Sequence, residues 1–117
     1  MQCQAQMANQ LGSMHGGCVA TIVDNLTSVA VYLHLADLEP TTPWAFLGVT
    51  QSLSVVYLAA VPVDSWVDIE CNVISLGSRI VVVTCDMYLL ESEDGGRIRK
   101  TASGTHTKVD NSFASRM

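Results

Sequence analysis

The sequence predicts an α+β domain in which one long central helix is wrapped by a curved antiparallel sheet. Three observations predict it. The chain has 117 residues, of which 49% are hydrophobic, so it fits a single domain with one core. Residues 16–36 carry the apolar pattern of a helix. The segments after residue 44 carry strand patterns and are joined by short turns.

The helix is predicted over residues 16–36 because its polar positions form one stripe with helical spacing. A helix that is apolar around the rest of its circumference must be covered by other structure. Asp24, Asn25 and His34 interrupt its apolar run and argue for a buried globular helix, with no membrane span. Two prolines in residues 37–43 end it. The polar stripe consists of Gly17, Thr21, Asp24, Asn25 and Ser28.

Strands are predicted over residues 45–58, 65–75, 79–91 and 97–108. Turn residues Gly77-Ser78 and Asp94-Gly95-Gly96 separate the last three, and such short connections imply an antiparallel meander. A single apolar helix in the curve of such a sheet is the layout called the hotdog fold. The whole chain, residues 1–117, is thus one domain, and we expect residues 1–8 and 109–117 to be loose.

Charge and cysteine content restrict the function classes. A net charge of −5 argues against nucleic-acid binding. Only 15% of residues are charged, so we expect apolar surface to be buried in a homo-oligomer. The four cysteines have no metal-ligand or disulfide-framework spacing, and we expect no metal. A reducing compartment, the cytoplasm, is the expected location, or the mitochondrion if the natural N-terminus is longer.

The glycine pair Gly16-Gly17 lies at the predicted start of the helix. Backbone N–H groups there lack intrahelical partners, and the helix dipole is positive. Such a point suits an oxygen that gains negative charge during acyl transfer. The alternative is a tight turn that needs glycine for its shape alone.

Asp24 is the only Asp, Glu, Lys or Arg in residues 16–36. It is either a general base or nucleophile, or a structural carboxylate that is hydrogen-bonded to a loop. Gly16 and Asp24 are eight residues apart, which is about 12 Å along a helix. One chain therefore cannot readily bring both to the same acyl group, whereas two helices related by a two-fold axis can.

The motif around these residues resembles that of hotdog-fold acyl-CoA thioesterases of the phenylacetate-degradation type. The stretches Gly48-Val49-Thr50 and Gly104–Lys108 resemble strands of the same family, and the likeness covers about residues 9–108. Proteins of this family usually have an opening strand before the Asn, and we expect that strand to be missing here. The motif residues are Asn9, Gly12, His15, Gly16, Gly17, Asp24 and Asn25.

The resemblance implies an enzyme that hydrolyses acyl-CoA to free acid and coenzyme A, as a dimer or tetramer and without a cofactor. The Gly16 N–H and Asn9 would polarise the thioester carbonyl, with Gly17 beside the substrate. Asp24 would be the base or nucleophile, Thr50 would orient water, and His15 would fix the loop. Candidate cations for the phosphates of coenzyme A are Arg97, Arg99, Lys100 and Lys108.

Two other readings keep the same fold. One is a non-catalytic module that binds acyl-CoA or lipid, which the combination of Asp24 and Asn9 argues against. The other is a polyketide-releasing thioesterase or a hotdog dehydratase. A dehydratase needs a catalytic His with an acidic partner, and the place of His15 just before the glycine pair suits a loop role better.

Overall fold

The computed structural model describes residues 1–34 and 48–110, which form one α-helix packed on a four-stranded antiparallel sheet. This is the α+β hotdog layout that the sequence predicts. Predictions for residues 35–47 and 111–117, including the end of the helix and the proline break, lie outside the described residues. The elements are α1 (Gly16–His34), β1 (Val49–Tyr57), β2 (Val67–Leu76), β3 (Ile80–Leu90) and β4 (Arg97–Val109).

The strand order is β1-β4-β3-β2, so the predicted meander is correct for β2, β3 and β4 but wrong for β1. Strand β1 pairs with β4, with Thr50 opposite Lys108 and Tyr57 opposite Ala102. The connection from β1 to β2 therefore crosses the end of the sheet, where the N–H groups of Leu58 and Ala59 donate to the Thr101 carbonyl. The prediction failed here because it assumed that consecutive strands are neighbours.

Residues 1–8 are packed, and the expectation that they are loose is wrong. Cys3 is fully buried, and its N–H donates to the Ser65 carbonyl at 2.9 Å. The Asp64 N–H donates to the Cys3 carbonyl at 2.8 Å, and the Val67 N–H donates to the Met1 carbonyl at 2.8 Å. These backbone bonds lay the segment along the start of β2, where buried polar groups require such partners.

Helix α1 packs on the sheet through one stripe of residues with helical spacing, namely Val19, Val23, Thr27 and Val31. The facing side of β3 is fully buried at alternate positions, as a strand with one covered face requires. Gly104 of β4 lies directly under the helix, since a Cβ added there would meet Val23 Cγ1 at 2.7 Å. The missing side chain therefore lets the helix approach β4 closely.

The other side of α1 is not covered by residues 1–34 and 48–110, although the sequence predicted a helix covered on nearly all sides. By length and composition alone α1 meets the criteria of a membrane-spanning helix, but its packed stripe is what the core helix of a domain shows. An exposed apolar patch of this kind is typical of a surface that another subunit buries. Its members on α1 are Leu26, Val29, Tyr32 and Leu33, which are 37%, 46%, 53% and 74% exposed.

Candidate active site

The first turn of α1 presents a backbone N–H group that has no acceptor among the described residues. The Gly17 N–H donates to His15 Nδ1 at 2.9 Å, so the imidazole caps the helix. The Gly16 N–H keeps no such partner in residues 1–34 and 48–110, and it lies at the positive end of the helix dipole. Of the two glycines, Gly16 is therefore the one whose N–H can bind an external oxygen.

Tyr57 holds this turn from β1. Its hydroxyl donates to the Gly16 carbonyl at 2.7 Å. Its ring lies 3.6 Å from where a Gly16 Cβ would be, which is an ordinary van der Waals distance. Tyr57 was not among the predicted site residues, and its position depends on pairing between β1 and β4 that the local sequence pattern does not reveal.

Asn9 uses its side-chain oxygen to close the loop before the helix. Its Oδ1 accepts from the Leu11 N–H at 2.9 Å and from the Ser13 N–H at 3.2 Å. The turn needs the φ of +78° at Gly12, which agrees with its prediction as a turn residue. Because both donors point at Oδ1, the amide Nδ2 is the end left to donate, and no described group accepts from it.

An open depression of about 680 Å³ lies beside this loop. Asn9 and His15, which the resemblance singled out, both line it. The loop thus brings two of the predicted site residues to one concave surface next to the start of α1. The remaining lining residues are Ala8, Gln10 and Leu11.

Asp24 lies two turns further along α1, with 48% of its side chain exposed. Its Oδ1 is 3.8 Å from His106 Nε2, and no group in the described part of the chain donates a hydrogen bond to its carboxylate. The loop hydrogen bond of the structural alternative is therefore not found among these residues. The carboxylate keeps its acceptor capacity for a ligand or for water.

His106 is fully buried between α1 and the sheet, and it connects Asp24 to Thr50. Its Nδ1 lies 2.7 Å from Thr27 Oγ1, and its Nε2 lies 2.7 Å from Thr50 Oγ1. Burial lowers the pKa of the imidazole, the ammonium of Lys108 lowers it further, and Asp24 opposes both effects. His106 is therefore neutral at neutral pH. Thr50, predicted to orient water, lies on the exposed side of this group.

Lys108 does not fit its predicted role as a ligand for phosphate. It is only 6% exposed, and its Nζ donates to Ser28 Oγ at 2.6 Å. Burial lowers the pKa of this ammonium, while Asp24 opposes the shift. The prediction is wrong because Lys108 lies on the face of β4 that is turned toward α1, where it binds Ser28 and not solvent.

Two of the other predicted cations lie on the face of the sheet opposite α1. Arg97 donates to Asp68 Oδ2 through Nε at 2.9 Å and through Nη2 at 2.7 Å, and Lys100 lies 3.3 Å from Asp86. The hydrogen bond to Asp68 raises the pKa of Arg97, as that to Asp86 does for Lys100. Neither is brought to Asp24 within one chain. Arg99 is exposed and forms no ion pair in the described residues.

Sequence reasoning missed two members of the buried cluster, Thr27 and His106. A usable signal existed for His106, because Ala102, Gly104, His106 and Lys108 alternate along one strand and must share a face. Apolar or small residues at Ala102 and Gly104 indicate that this face is the buried one. Thr27 lies three residues after Asp24, which places it on a neighbouring part of the helix surface.

The structure separates the predicted site residues into two groups. Asn9, His15 and Gly16 lie with Tyr57 at the start of α1, whereas Asp24 and Thr50 lie with His106. Tyr57 and Thr50 are seven residues apart on β1, and this strand spans about 20 Å between them. Gly16 and Asp24 are likewise apart, by about 12 Å along the helix, so the two groups are separated on both elements.

The four cysteines are free thiols, and Cys71 lies opposite Cys85 in the pairing of β2 with β3. In the described residues, no group of three or more His, Cys, Asp or Glu side chains is arranged to hold a metal ion.

Comparisons with known proteins agree with this architecture. The family model of the thioesterase superfamily matches residues 11–95. The chain is 27% identical over 108 residues to acyl-coenzyme A thioesterase 13 of Mus musculus, covering 92% of this chain and 68% of the mouse protein.

Solved structures share the fold. Thioesterase superfamily member 2 of zebra fish superposes with a TM-score of 0.76 at 24% identity, covering 94% of this chain and 70% of the fish chain. A thioesterase protein of Streptococcus pneumoniae, solved with coenzyme A, gives a TM-score of 0.73 at 24% identity. That match covers 93% of this chain and 76% of the pneumococcal chain.

Proposed function

Because the chain belongs to the thioesterase superfamily, we propose that it hydrolyses acyl-CoA thioesters to a free acid and coenzyme A. The observation that carries the proposal is the Asp24 carboxylate, half exposed and without a donor among the described residues, beside the Thr50–His106 pair. The name of the mouse relative and the coenzyme A bound to the pneumococcal protein support this substrate class.

Asp24 acts as a general base in this proposal. Its carboxylate takes a proton from a water molecule while the water oxygen attacks the thioester carbon. Thr50 lies on the same side of His106 as Asp24 and holds the water by a second hydrogen bond. The carbon–sulfur bond then breaks, coenzyme A leaves as the thiolate, and this thiolate takes the proton back from Asp24.

The oxyanion that forms during the attack is bound by the Gly16 N–H and the Asn9 Nδ2. Both are donors without an acceptor among the described residues, and both lie at the rim of the loop before α1. Donors of this kind stabilise a transition state because they are oriented before charge develops. Each contributes about 3–4 kcal/mol of transition-state stabilisation in comparable sites.

The two groups of residues complete each other in a homodimer. Within one chain Gly16 and Asp24 are about 12 Å apart along α1, which is too far for one carbonyl group. A two-fold axis beside the middle of β1 exchanges the two ends of that strand, so Thr50 of one subunit lies near Tyr57 of the other. One active site then takes Asn9 and Gly16 from one chain and Asp24 from its partner.

The surface near this axis is suited to such an interface. Strand β1 is an edge of the sheet in the described part of the chain, and most of it is exposed. Edge strands of this type pair readily with a second copy. Exposed apolar residues of α1, such as Leu26 and Val29, extend the same surface. Pairing of such dimers gives the tetramer that the family resemblance implies.

Coenzyme A would lie across the interface, with its acyl chain along the apolar surface of α1. Of the four predicted cations, Arg99 remains the candidate for its phosphates, because it is exposed and has no ion pair in the described residues. We further propose that the reaction needs no cofactor, serves lipid metabolism and takes place in the cytoplasm. Microscopy of a fluorescently tagged chain tests the location.

Release of free thiol from a panel of acyl-CoAs tests the proposed activity. We expect the wild-type protein to release coenzyme A, and Asp24→Asn to lower kcat by about 10²–10⁴-fold. The matched control is Asp68→Asn, which makes the same chemical change on the opposite face of the sheet. Binding of acyl-CoA without thiol release by the wild type would contradict the proposal and favour a non-catalytic binding module.

A further inference from the structure

The hydrogen bonds around His106 determine which of its nitrogens carries the proton. Thr27 Oγ1 lies 2.6 Å from the Val23 carbonyl oxygen and 3.1 Å from that of Asp24. A carbonyl oxygen can only accept, so the single hydroxyl proton of Thr27 is donated within the helix. At its 2.7 Å contact with His106 Nδ1, Thr27 must therefore be the acceptor, and Nδ1 must be the donor.

The proton on Nδ1 also determines the hydrogen bond between His106 and Thr50. A neutral imidazole with its proton on Nδ1 has a lone pair on Nε2. Thr50 Oγ1, 2.7 Å away, must then donate its hydroxyl proton to Nε2. This leaves only lone pairs of Thr50 Oγ1 for other partners. It also explains why Asp24 Oδ1 stays at 3.8 Å from Nε2, because two acceptors do not form a hydrogen bond.

We infer that His106 is a positioning residue which, held by Thr27 as the Nδ1–H tautomer, fixes the Thr50 hydroxyl as an acceptor facing the attacking water. The water meets two acceptors, Thr50 Oγ1 and the Asp24 carboxylate, so each accepts one of its two protons. Its lone pairs then point away from both residues and toward the thioester carbon. This inference rests on the proposed hydrolysis, whereas the tautomer itself can be measured without any substrate.

The charged groups that face His106 fit the neutral form. Asp24 approaches from α1, and Lys108 approaches from β4. Burial and the neighbouring ammonium both oppose protonation of the imidazole, and only Asp24 favours it. If His106 were protonated, its Nε2–H would donate a hydrogen bond to Thr50 Oγ1 and attract the Asp24 carboxylate into an ion pair. Neither residue would then be placed to accept a hydrogen bond from the water.

Nitrogen-15 spectra of the labelled wild-type protein test the inference directly. The chain has three histidines, and the signals that disappear in the His106→Gln variant are those of His106. At pH 7.5 we expect His106 to show a protonated Nδ1 and an unprotonated Nε2. An Nε2–H tautomer or a doubly protonated ring would overturn the inference, even in a fully active enzyme. Absence of thiol release with the expected tautomer would instead overturn only the proposed function.

A variant series at Thr27 then tests the effect on catalysis. Thr27→Val removes the acceptor of Nδ1–H, so we expect the tautomer to shift toward Nε2–H and kcat to fall about tenfold with KM unchanged. Thr27→Ser restores the hydroxyl, and we expect it to restore both the tautomer and most of kcat. Thr105→Val is the matched control, since Thr105 is adjacent to His106 but exposed on the other face of β4. A Thr27→Val enzyme with the wild-type tautomer and kcat would refute the positioning of Thr50 by Thr27 and His106.

Discussion

Two polar clusters lie on opposite faces of the same sheet, and they differ in how completely their groups are satisfied. On the outer face, Arg97 pairs with the carboxylate of Asp68, and Lys100 pairs with that of Asp86. The guanidinium carbon of Arg97 lies 3.9 Å from the centroid of the Tyr88 ring. Charges that are paired in contact with water are typical of a solvated surface. Both cations of this cluster are therefore already paired with carboxylates of the described residues.

The inner cluster combines buried polar groups with a carboxylate whose hydrogen-bond acceptor capacity is unused by the described residues. His106 is fully buried and neutral, Lys108 is buried on Ser28, and the Asp24 carboxylate receives no hydrogen bond from the described residues. Burial of the polar side chains of His106 and Lys108 is costly, and their place beside a carboxylate that keeps its acceptor capacity is typical of a functional site. Residues that keep a free donor or acceptor among the described residues are therefore the candidates for ligand binding, whatever their charge.

A loss of activity second only to that of Asp24→Asn is expected at the helix start, where Gly16→Pro removes the N–H group. Proline is accepted in the first turn of a helix, so the fold is retained while the oxyanion loses a donor. We expect kcat to fall about 10²–10³-fold, or about 3–4 kcal/mol of transition-state stabilisation. Gly16→Ala is the control, because it keeps the N–H and its Cβ would lie at 3.6 Å from Tyr57. Equal kcat values for the two variants would remove Gly16 from the mechanism.

The next effect concerns the close contact that holds the inner cluster under α1. Gly104→Ala places a Cβ 2.7 Å from Val23 Cγ1, so we expect the free energy of unfolding to fall by about 1–3 kcal/mol. Gly96→Ala, in the turn before β4, adds a Cβ with no atom within 4 Å and serves as control. Urea titration measures both. A Gly104→Ala protein as stable as the control would show that α1 can move away without cost.

A smaller effect is expected from the pH dependence of stability. The pKa of His106 is lowered in the folded state, so below about 6.5 the unfolded chain binds a proton that the folded chain does not. Stability is therefore highest above that pH and falls as the pH is lowered, by at most about 1.4 kcal/mol per pH unit from this residue. Urea titrations between pH 7.5 and 5, on wild type and His106→Gln, should give a shallower decline for the variant. Parallel curves would contradict a buried neutral imidazole.

The smallest effect is expected on the outer face. Arg97→Ala breaks its pairs with Asp68 and Glu70, which are solvated, so we expect only a slight fall in melting temperature. Thiol release should keep the wild-type kcat and KM. A large increase in KM would instead mean that Arg97 binds the phosphates of coenzyme A, the role for which the sequence made it a candidate.

Local sequence patterns were enough for the start of the helix at Gly16 and for two of the three pairs of neighbouring strands, β2 with β3 and β3 with β4. They also singled out Asp24, because an acidic residue inside an apolar helix is unusual. They did not reveal that Thr50 and His106, which are 56 residues apart, share a hydrogen bond. This contact depends on the register between β1 and β4, which is set by non-local packing.

The error at Lys108 has the same origin. A basic residue near the end of a strand is normally exposed, and only the face of the sheet determines that this one is buried under α1. Residues 1–8 were misjudged because their partners, such as Ser65 and Val67, lie far along the chain. The sequence thus predicts which residues are capable of catalysis or binding better than it predicts which of them are in contact.

Mixing two inactive variants tests most directly whether each active site is built from two subunits. In a mixed dimer of Gly16→Pro and Asp24→Asn, one site carries both defects and the other carries neither. Random re-association after mild unfolding should therefore restore about a quarter of the wild-type rate of thiol release. If Gly16 and Asp24 of the same chain served one site, every mixed site would keep one defect, and the mixture would stay as inactive as its components.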